Sequence, residues 1–319
     1  MYNNKEFGVK VDSSQMLEDI LKGQYAPQND SDKKLLDITR QWYAKLGCPE
    51  FGYVYYGSEF CARHFPNLNQ ILDIINVCKE NKKKLVLLCP TGDDLFVNTC
   101  IDIIEKLESV LFDFELELEI NDYGLLYRLN KKDLRHIKYR GGRLLDKSFH
   151  DGRLDSRELQ RLYQKSKIKW YEDDSWISEN TAKVFWKNNL SGFDLDVPAG
   201  GVTSKKDNRT LNIGVFVPYS YITTGGICMM KNLDKPILEK FDCSDDRCSQ
   251  KCRKYYEIMK KRIIDIHEEN LKLDDGYTLR DIIMYRVGNT IFYVREDETE
   301  SILLSNSIGR VVFEPKFML

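Results

Sequence analysis

Long apolar runs are missing from this 319-residue chain. None approaches the roughly 20 residues that a membrane-spanning helix needs. The first residues, MYNNKEFGVKVDSSQ, carry neither the basic n-region nor the apolar h-region of a secretory signal. A cytoplasmic protein with no membrane partner is expected. An excess of one charge is missing as well. The 48 basic and 50 acidic side chains leave a net charge of −2, which removes any whole-protein attraction to nucleic acid and leaves room only for a local basic groove. No G-x-G-x-x-G follows the first strand and there is no P-loop, so the common nucleotide-binding readings lack their signature. No Ser/His/Asp arrangement, H-E-x-x-H or catalytic Cys-His pattern stands out, and peptidase activity is not expected. The four histidines, His64, His136, His150 and His267, are scattered. His64, three residues after Cys61, reads as a residue of a surface helix, with contact to the surroundings of a metal site at Cys61 as its other reading.

What is present is an alternation. FGYVYYG (51–57) and KLVLLCP (84–90) read as buried strands, with the helical stripe of NLNQILDIINVCKEN between them. DDLFVNTCIDIIEKLES repeats the helical signal. FDFELELEIND (112–122), the short helix YGLLYRLN, and the strand IKYRGG (137–142) follow. KIKWYE, GFDLDVP (192–198) and LNIGVFVPYS are later strand candidates. Strand starts recur about every 20–32 residues, the spacing of parallel strands joined by crossover helices. Seven or more such units predict an α/β fold, a TIM-like (β/α) barrel, incomplete or distorted if closure fails. The last quarter differs: CRKYYEIMKKRIIDIHEEN predicts a basic amphipathic helix, YTLRDIIMYRVGNTIFYVRED two strands joined near Gly288-Asn289, and GRVVFEP a final strand. The expected division is a barrel over 1–255 with a helix and strands over 256–319 packed on the same domain.

The nine cysteines are the chemical signal, and an odd number cannot pair completely. Cys78 and Cys100 fall on apolar helical stripes and read as small hydrophobes. Cys48 precedes a proline in a loop. Cys89 reads as the last buried residue of its strand. Cys61 follows a strand, at the end where a barrel presents its functional groups. Cys228, Cys243, Cys248 and Cys252 cluster, and FDCSDDRCSQKC is too polar for a core. In a reducing compartment such a cluster binds metal more readily than it forms disulfides. Zinc and iron–sulfur both accept four cysteines, and spacing does not choose between them. Barrel logic adds Glu59, Asn121, Asp122 and Arg143, each just beyond a strand. Arg143 is a candidate carboxylate fork and Asp122 its orienter or a base, while Asn121-Asp122-Tyr123-Gly124 also reads as a helix N-cap.

YVYYGSEFCARHF resembles the strand and cysteine loop of peptidase family U thirty-two, in the branch of iron–sulfur proteins of oxygen-independent ubiquinone biosynthesis. LEINDYGLLYRLN, GGRLLDKSFHDGR, GFDLDVP and YSYITTGGIC are similar to further segments of that branch in the same order, covering roughly 51–252. The resemblance implies a [4Fe–4S] cluster on Cys61, Cys228, Cys248 and Cys252, with Cys243 the alternate for Cys248. It implies a subunit of an oxygen-independent hydroxylation system, a heterodimer with a related barrel subunit, and a small carboxylate such as prephenate as oxygen source. The chain departs from the branch at Gly226-Ile227-Cys228, where many relatives place an arginine before the cysteine. The alternatives are a non-catalytic zinc-binding or substrate-binding barrel and, since other members of the superfamily hydroxylate RNA bases, an RNA-base hydroxylation factor using CRKYYEIMKKR for phosphate contacts.

Overall fold

The computed structural model describes residues 5–27, 30–47, 49–111, 113–145, 190–196, 212–228, 230–240, 248–259, 283–294 and 308–319. Eight parallel strands close a barrel: β1 (Glu6–Val11), β2 (Tyr53–Gly57), β3 (Lys84–Cys89), β4 (Leu116–Ile120), β5 (Ile137–Gly141), β6 (Leu190–Asp196), β7 (Asn212–Val217) and β12 (Ile308–Phe313). Each pairs with its predecessor in that order, and β12 returns to β1 in the register Glu6↔Arg310 to Val9↔Phe313. The fold is therefore a closed (β/α) barrel of the TIM type.

Local chemistry explains the helices between the strands. In α3 (Leu68–Glu80), Asn67 accepts from the Gln70 amide while the Gln70 side chain accepts from the Asn67 amide, both at 3.0 Å, a reciprocal cap that satisfies two helix-end donors. That helix buries Ile71, Ile74, Ile75 and Cys78, spaced for one face. In α4 (Asp94–Glu108) the N-cap is Asp93, accepting from Phe96 N at 2.8 Å, and Cys100 lies in the buried stripe. In α5 (Tyr123–Leu129) the cap is Asp122. The helices α1 (Ser14–Leu21) and α2 (Asp30–Lys45) lie between β1 and β2. Among the described residues no helix is long and apolar enough to cross a membrane.

Strands buried on both faces need near-continuous apolar runs, and the two faces belong to different cores. Val54, Tyr56, Leu85 and Leu87 pack with the helices. Tyr53, Tyr55, Val86, Leu88, Phe216 and Val312 fill the barrel. The rest of the interior is ionic. In the layer nearer the amino ends of the strands, Arg140 grips Asp194 through Nε at 2.9 Å and Nη2 at 2.6 Å, and Arg310 bonds Glu117 at 2.8 Å and Glu6 at 2.9 Å. Glycine makes room for this layer: a Cβ at Gly214 would stand 1.9 Å from Asp194 Oδ1, and one at Gly192 2.3 Å from Arg140 Nη1.

Between β7 and β12 the chain builds a second, antiparallel sheet in the order β8-β11-β10-β9: β8 (Tyr219–Thr224), β9 (Glu257–Met259), β10 (Met284–Val287) and β11 (Thr290–Val294). It packs over the mouth of the barrel through an aromatic cluster in which Phe317 contacts Tyr219, Tyr285 and Phe292 at ring-centroid distances of 4.6, 4.8 and 5.6 Å.

Three expectations change. LNIGVFVPYS is two strands, broken at Pro218, because a proline has no amide for the ladder. CRKYYEIMKKR does not open as a helix: 251–253 form one 3-10 turn and 257–259 pair as β9 with β10. The final strand, expected within 256–319 as part of what packs on the barrel, is the barrel's eighth strand, between β1 and β7. The strand β1 comes from a segment without a sequence assignment. KIKWYE, GFDLDVP beyond Asp196, and the rest of the basic segment past 259 lie outside the described residues.

Candidate metal centre

Cys61, Cys228, Cys248 and Cys252 line a single cavity of about 480 Å³ at the carboxyl end of the barrel. Three segments deliver them. The first is the loop after β2, where Ser58 Oγ accepts from Cys61 N at 3.1 Å and His64 N donates to Cys61 O at 3.0 Å. The second follows β8 and the pair Gly225-Gly226. The third carries Cys248 and, on a 3-10 turn, Cys252.

Side chains that sequence reasoning missed stitch these segments together. Asn289, in the β10–β11 turn, donates to Phe60 O at 2.8 Å and to Gly225 O at 2.7 Å, joining the first segment to the second. Gln250, held in the left-handed region at φ 52°, donates to Arg63 O at 3.1 Å and joins the third to the first. Gly288 precedes Asn289 at φ 60°, the turn position that favours glycine, and a Cβ there would lie 2.5 Å from Leu319 and 3.5 Å from Cys252 Cβ. Only Gly288-Asn289 was visible beforehand, as a turn. The pinning was not, because its partners are backbone carbonyls more than sixty residues away.

The electrostatics show that the thiols are neighbours. Burial pushes Cys252 up to about 12, and Cys228, Cys61 and Cys248 add to the rise. Burial also raises Cys61 and Cys228. Against this, the backbone at Arg63 and His64 lowers Cys61, and that at Lys231 and Met230 lowers Cys228. Deprotonating four close thiols needs positive charge at their centre. His64, read from sequence as a surface residue, is half-buried with Nε2 3.2 Å from the Cys252 sulfur. Among the described residues no group of three or more His, Cys, Asp or Glu side chains closes around a position for one metal ion. Cys243 and Cys48 lie outside the described residues. Cys78, Cys89 and Cys100 are fully buried in the helix-facing core, as expected.

Glu59 and Arg143 meet beneath this cavity, in an ionic cluster at the barrel mouth. Arg143 bonds both Glu59 oxygens, with Nε–Oε1 at 2.6 Å, and also Asp196 at 3.0 Å and Glu314 at 3.1 Å. Lys10 bonds Glu59 at 2.6 Å and Glu314 at 3.2 Å. All five side chains are at most 1% exposed. Burial would raise Glu59, but Arg143 and Lys10 outweigh it and hold the carboxyl at about 2. Glu314, with longer bonds to the same cations, is pushed by burial up to about 7. Burial, and then Glu59 and Asp194, keeps Glu119 protonated well above the usual range. The guanidinium of Arg143 lies 3.9 Å from the centroid of Phe216, and its donors face internal carboxylates, so the fork expected for a ligand serves the fold here. Asp122 accepts from Leu125 N and Thr91 Oγ1, the N-cap arrangement that was its other reading. Asn121 Oδ1 accepts from Leu144 N at 2.9 Å and ties the loop after β4 to that after β5.

No protein-family model and no curated protein matches the chain.

Proposed function

We propose that Cys61, Cys228, Cys248 and Cys252 hold a [4Fe–4S] cluster and that the protein is the iron–sulfur subunit of an oxygen-independent hydroxylation system working with a related barrel partner. The observation that carries the cluster is the convergence of four thiols from three separate segments on one cavity. The donor set fits: it is all cysteine sulfur, the choice for iron–sulfur clusters.

Such a cluster supplies one-electron transfer. With a protein thiolate on each iron, none is left open to bind substrate, so the chain's own residues act on the cluster and its surroundings. The loop after β2 holds Cys61 through Ser58. Asn289 and Gln250 fix the other two segments against it. The aromatic cluster around Phe60 and Phe317 shields the site from the ionic barrel interior. The hydroxylation reading and the small-carboxylate oxygen source rest on the sequence resemblance, and a partner subunit would bring the rest of the reaction chamber.

The test is anaerobic purification with a visible spectrum and counts of iron, sulfide and zinc on one sample. A brown protein with about four irons and four sulfides per chain is expected, bleached in Cys228→Ala and Cys252→Ala. A colourless protein with one zinc per chain would overturn the reading and leave a structural zinc barrel. Binding of tRNA or rRNA that falls steeply with salt would favour the RNA-base alternative for the substrate.

A further inference from the structure

We infer that His64 donates a hydrogen bond from Nε2 to the sulfur of Cys252 and thereby sets the reduction potential of the cluster; the inference rests on the cluster reading above. Of the four cysteines, Cys252 has a side-chain partner at its sulfur. His64 sits at the end of the 3-10 turn Ala62–His64, on the loop that delivers Cys61, and reaches across to a cysteine 188 residues away at 3.2 Å. One loop thus brings a ligand to one corner of the site and a donor to another.

The direction of the bond follows from chemistry. A ligating cysteine is a thiolate with no proton to give. The imidazole nitrogen that faces it must therefore carry the hydrogen, which fixes the tautomer with the proton on Nε2. His64 and Cys252 both line the cysteine cavity and a smaller one of about 50 Å³ shared with Asp12, Gln70 and Lys316.

The consequence is redox. Reduction adds one electron, delivered by an external one-electron reductant, and forms or breaks no bond to His64. The added charge spreads onto the cysteine sulfurs, and an N–H aimed at one of them stabilises the reduced form more than the oxidised form. Hydrogen bonds to the sulfurs are among the factors that set cluster potentials. Removing this one should make the cluster harder to reduce. His64 acts through Cys252, as a positioning and tuning residue.

The experiment uses the full chain purified anaerobically, as unsubstituted protein and as His64→Phe, His64→Leu and His64→Gln. Iron and sulfide are counted, and a dithionite titration with mediator dyes is followed by visible absorption and electron paramagnetic resonance. In the two apolar variants iron and sulfide are expected to stay at the unsubstituted level. The reduced-to-oxidised ratio at fixed poise should fall about tenfold, a shift of about 59 mV for one electron. The iron–sulfur stretching bands in the resonance Raman spectrum should move with it. In His64→Gln, whose amide can still donate, most of the potential should be retained. Potentials and Raman bands unchanged in both apolar variants would overturn the inference. Loss of iron in all three variants would also overturn it, by making His64 a ligand. Failure of the cluster reading itself shows separately, as unsubstituted protein without sulfide or a visible band, and takes the inference down with it.

Discussion

The side-chain amide of Asn289 donates to the backbone carbonyl of Phe60 at 2.8 Å, across 229 residues of sequence, and its second bond reaches Gly225 at 2.7 Å. Phe60 precedes Cys61, and Gly225 lies three residues before Cys228. One amide therefore sets the distance between two of the proposed ligand loops.

Asn289→Ala removes both bonds and leaves two carbonyls without a donor. At about 0.5–1.5 kcal/mol each, the loss to stability is ~1–3 kcal/mol. Iron retention should fall more than stability does, because the loops part at the cluster. Iron per chain before and after gel filtration, beside a urea melt, measures both. Full retention of iron would mean the loops hold their spacing without the clamp.

The seven described cysteines should separate into two groups. Cys61→Ala or Cys252→Ala should abolish the visible band while folding persists. Cys78→Ala and Cys100→Ala, in the helix-facing core, should leave the iron count unchanged and lower stability by ~1 kcal/mol, a small cavity's worth. Iron loss in Cys100→Ala with its fold intact would contradict this division.

Arg143 neutralises Glu59, Asp196 and Glu314 where water does not reach. Arg143→Met strands those carboxylates, and breaking a buried pair by removing one partner costs about 3–5 kcal/mol. The measurement is the denaturation midpoint, which should drop at pH 7 and drop less near pH 4, where Glu314 is protonated in the native state. An unchanged midpoint would show that Lys10 alone balances the cluster.

The two glutamates that share Arg143 and Lys10 pull stability in opposite directions with pH. Glu59, held at about 2, lies below its usual value, so its contribution is present above about pH 4.5 and fades as pH falls through 2. Glu314, at about 7, lies above its usual value; its contribution is full below about pH 4.5 and is lost as pH rises through 7. In Glu314→Gln the decline between pH 4.5 and 7 should flatten, by ~1–3 kcal/mol at the upper end. Urea midpoints at half-unit intervals across that range read it directly, and an identical slope in both proteins would sink the assignment.

The barrel was legible because its signal is periodic and local. FGYVYYG and KLVLLCP carry apolar residues on both faces, and the helices between them are capped by residues visible in the sequence, Asn67 and Asp93. β1 was missed because EFGVKV places Lys10 inside the barrel, where an apolar residue is the usual occupant and a lysine reads as surface. β12 was found as a strand but not as a barrel strand, since its neighbours β1 and β7 are decided by closure and not by anything adjacent in sequence. The cysteines were legible as a set because FDCSDDRCSQKC is too polar to be buried for packing alone. Gln250 and Asn289 were not, because each acts on a segment far along the chain, and His64 was legible as a neighbour of Cys61 but not as a partner of Cys252, 188 residues on. Arg143 and Asp122 carry the contacts of their other readings, an ion pair and an N-cap, since positions just past barrel strands also hold loops together.

Arg310 and Glu6, 304 residues apart, are register partners in the closing pair of strands. The order of synthesis therefore matters to the site. When Cys61 and Cys228 have left the ribosome, β1 still offers one open edge, and the sheet can curl but not shut. Three of the four proposed ligands lie in the excursion between the seventh barrel strand and the eighth, so the pocket can acquire its final shape only when 308–313 arrive to seal the seam. On the proposed reading, loading with iron and sulfide would thus follow the arrival of β12, and a lesion that delays that strand would leave both an unfilled site and an exposed strand edge open to pairing with another molecule.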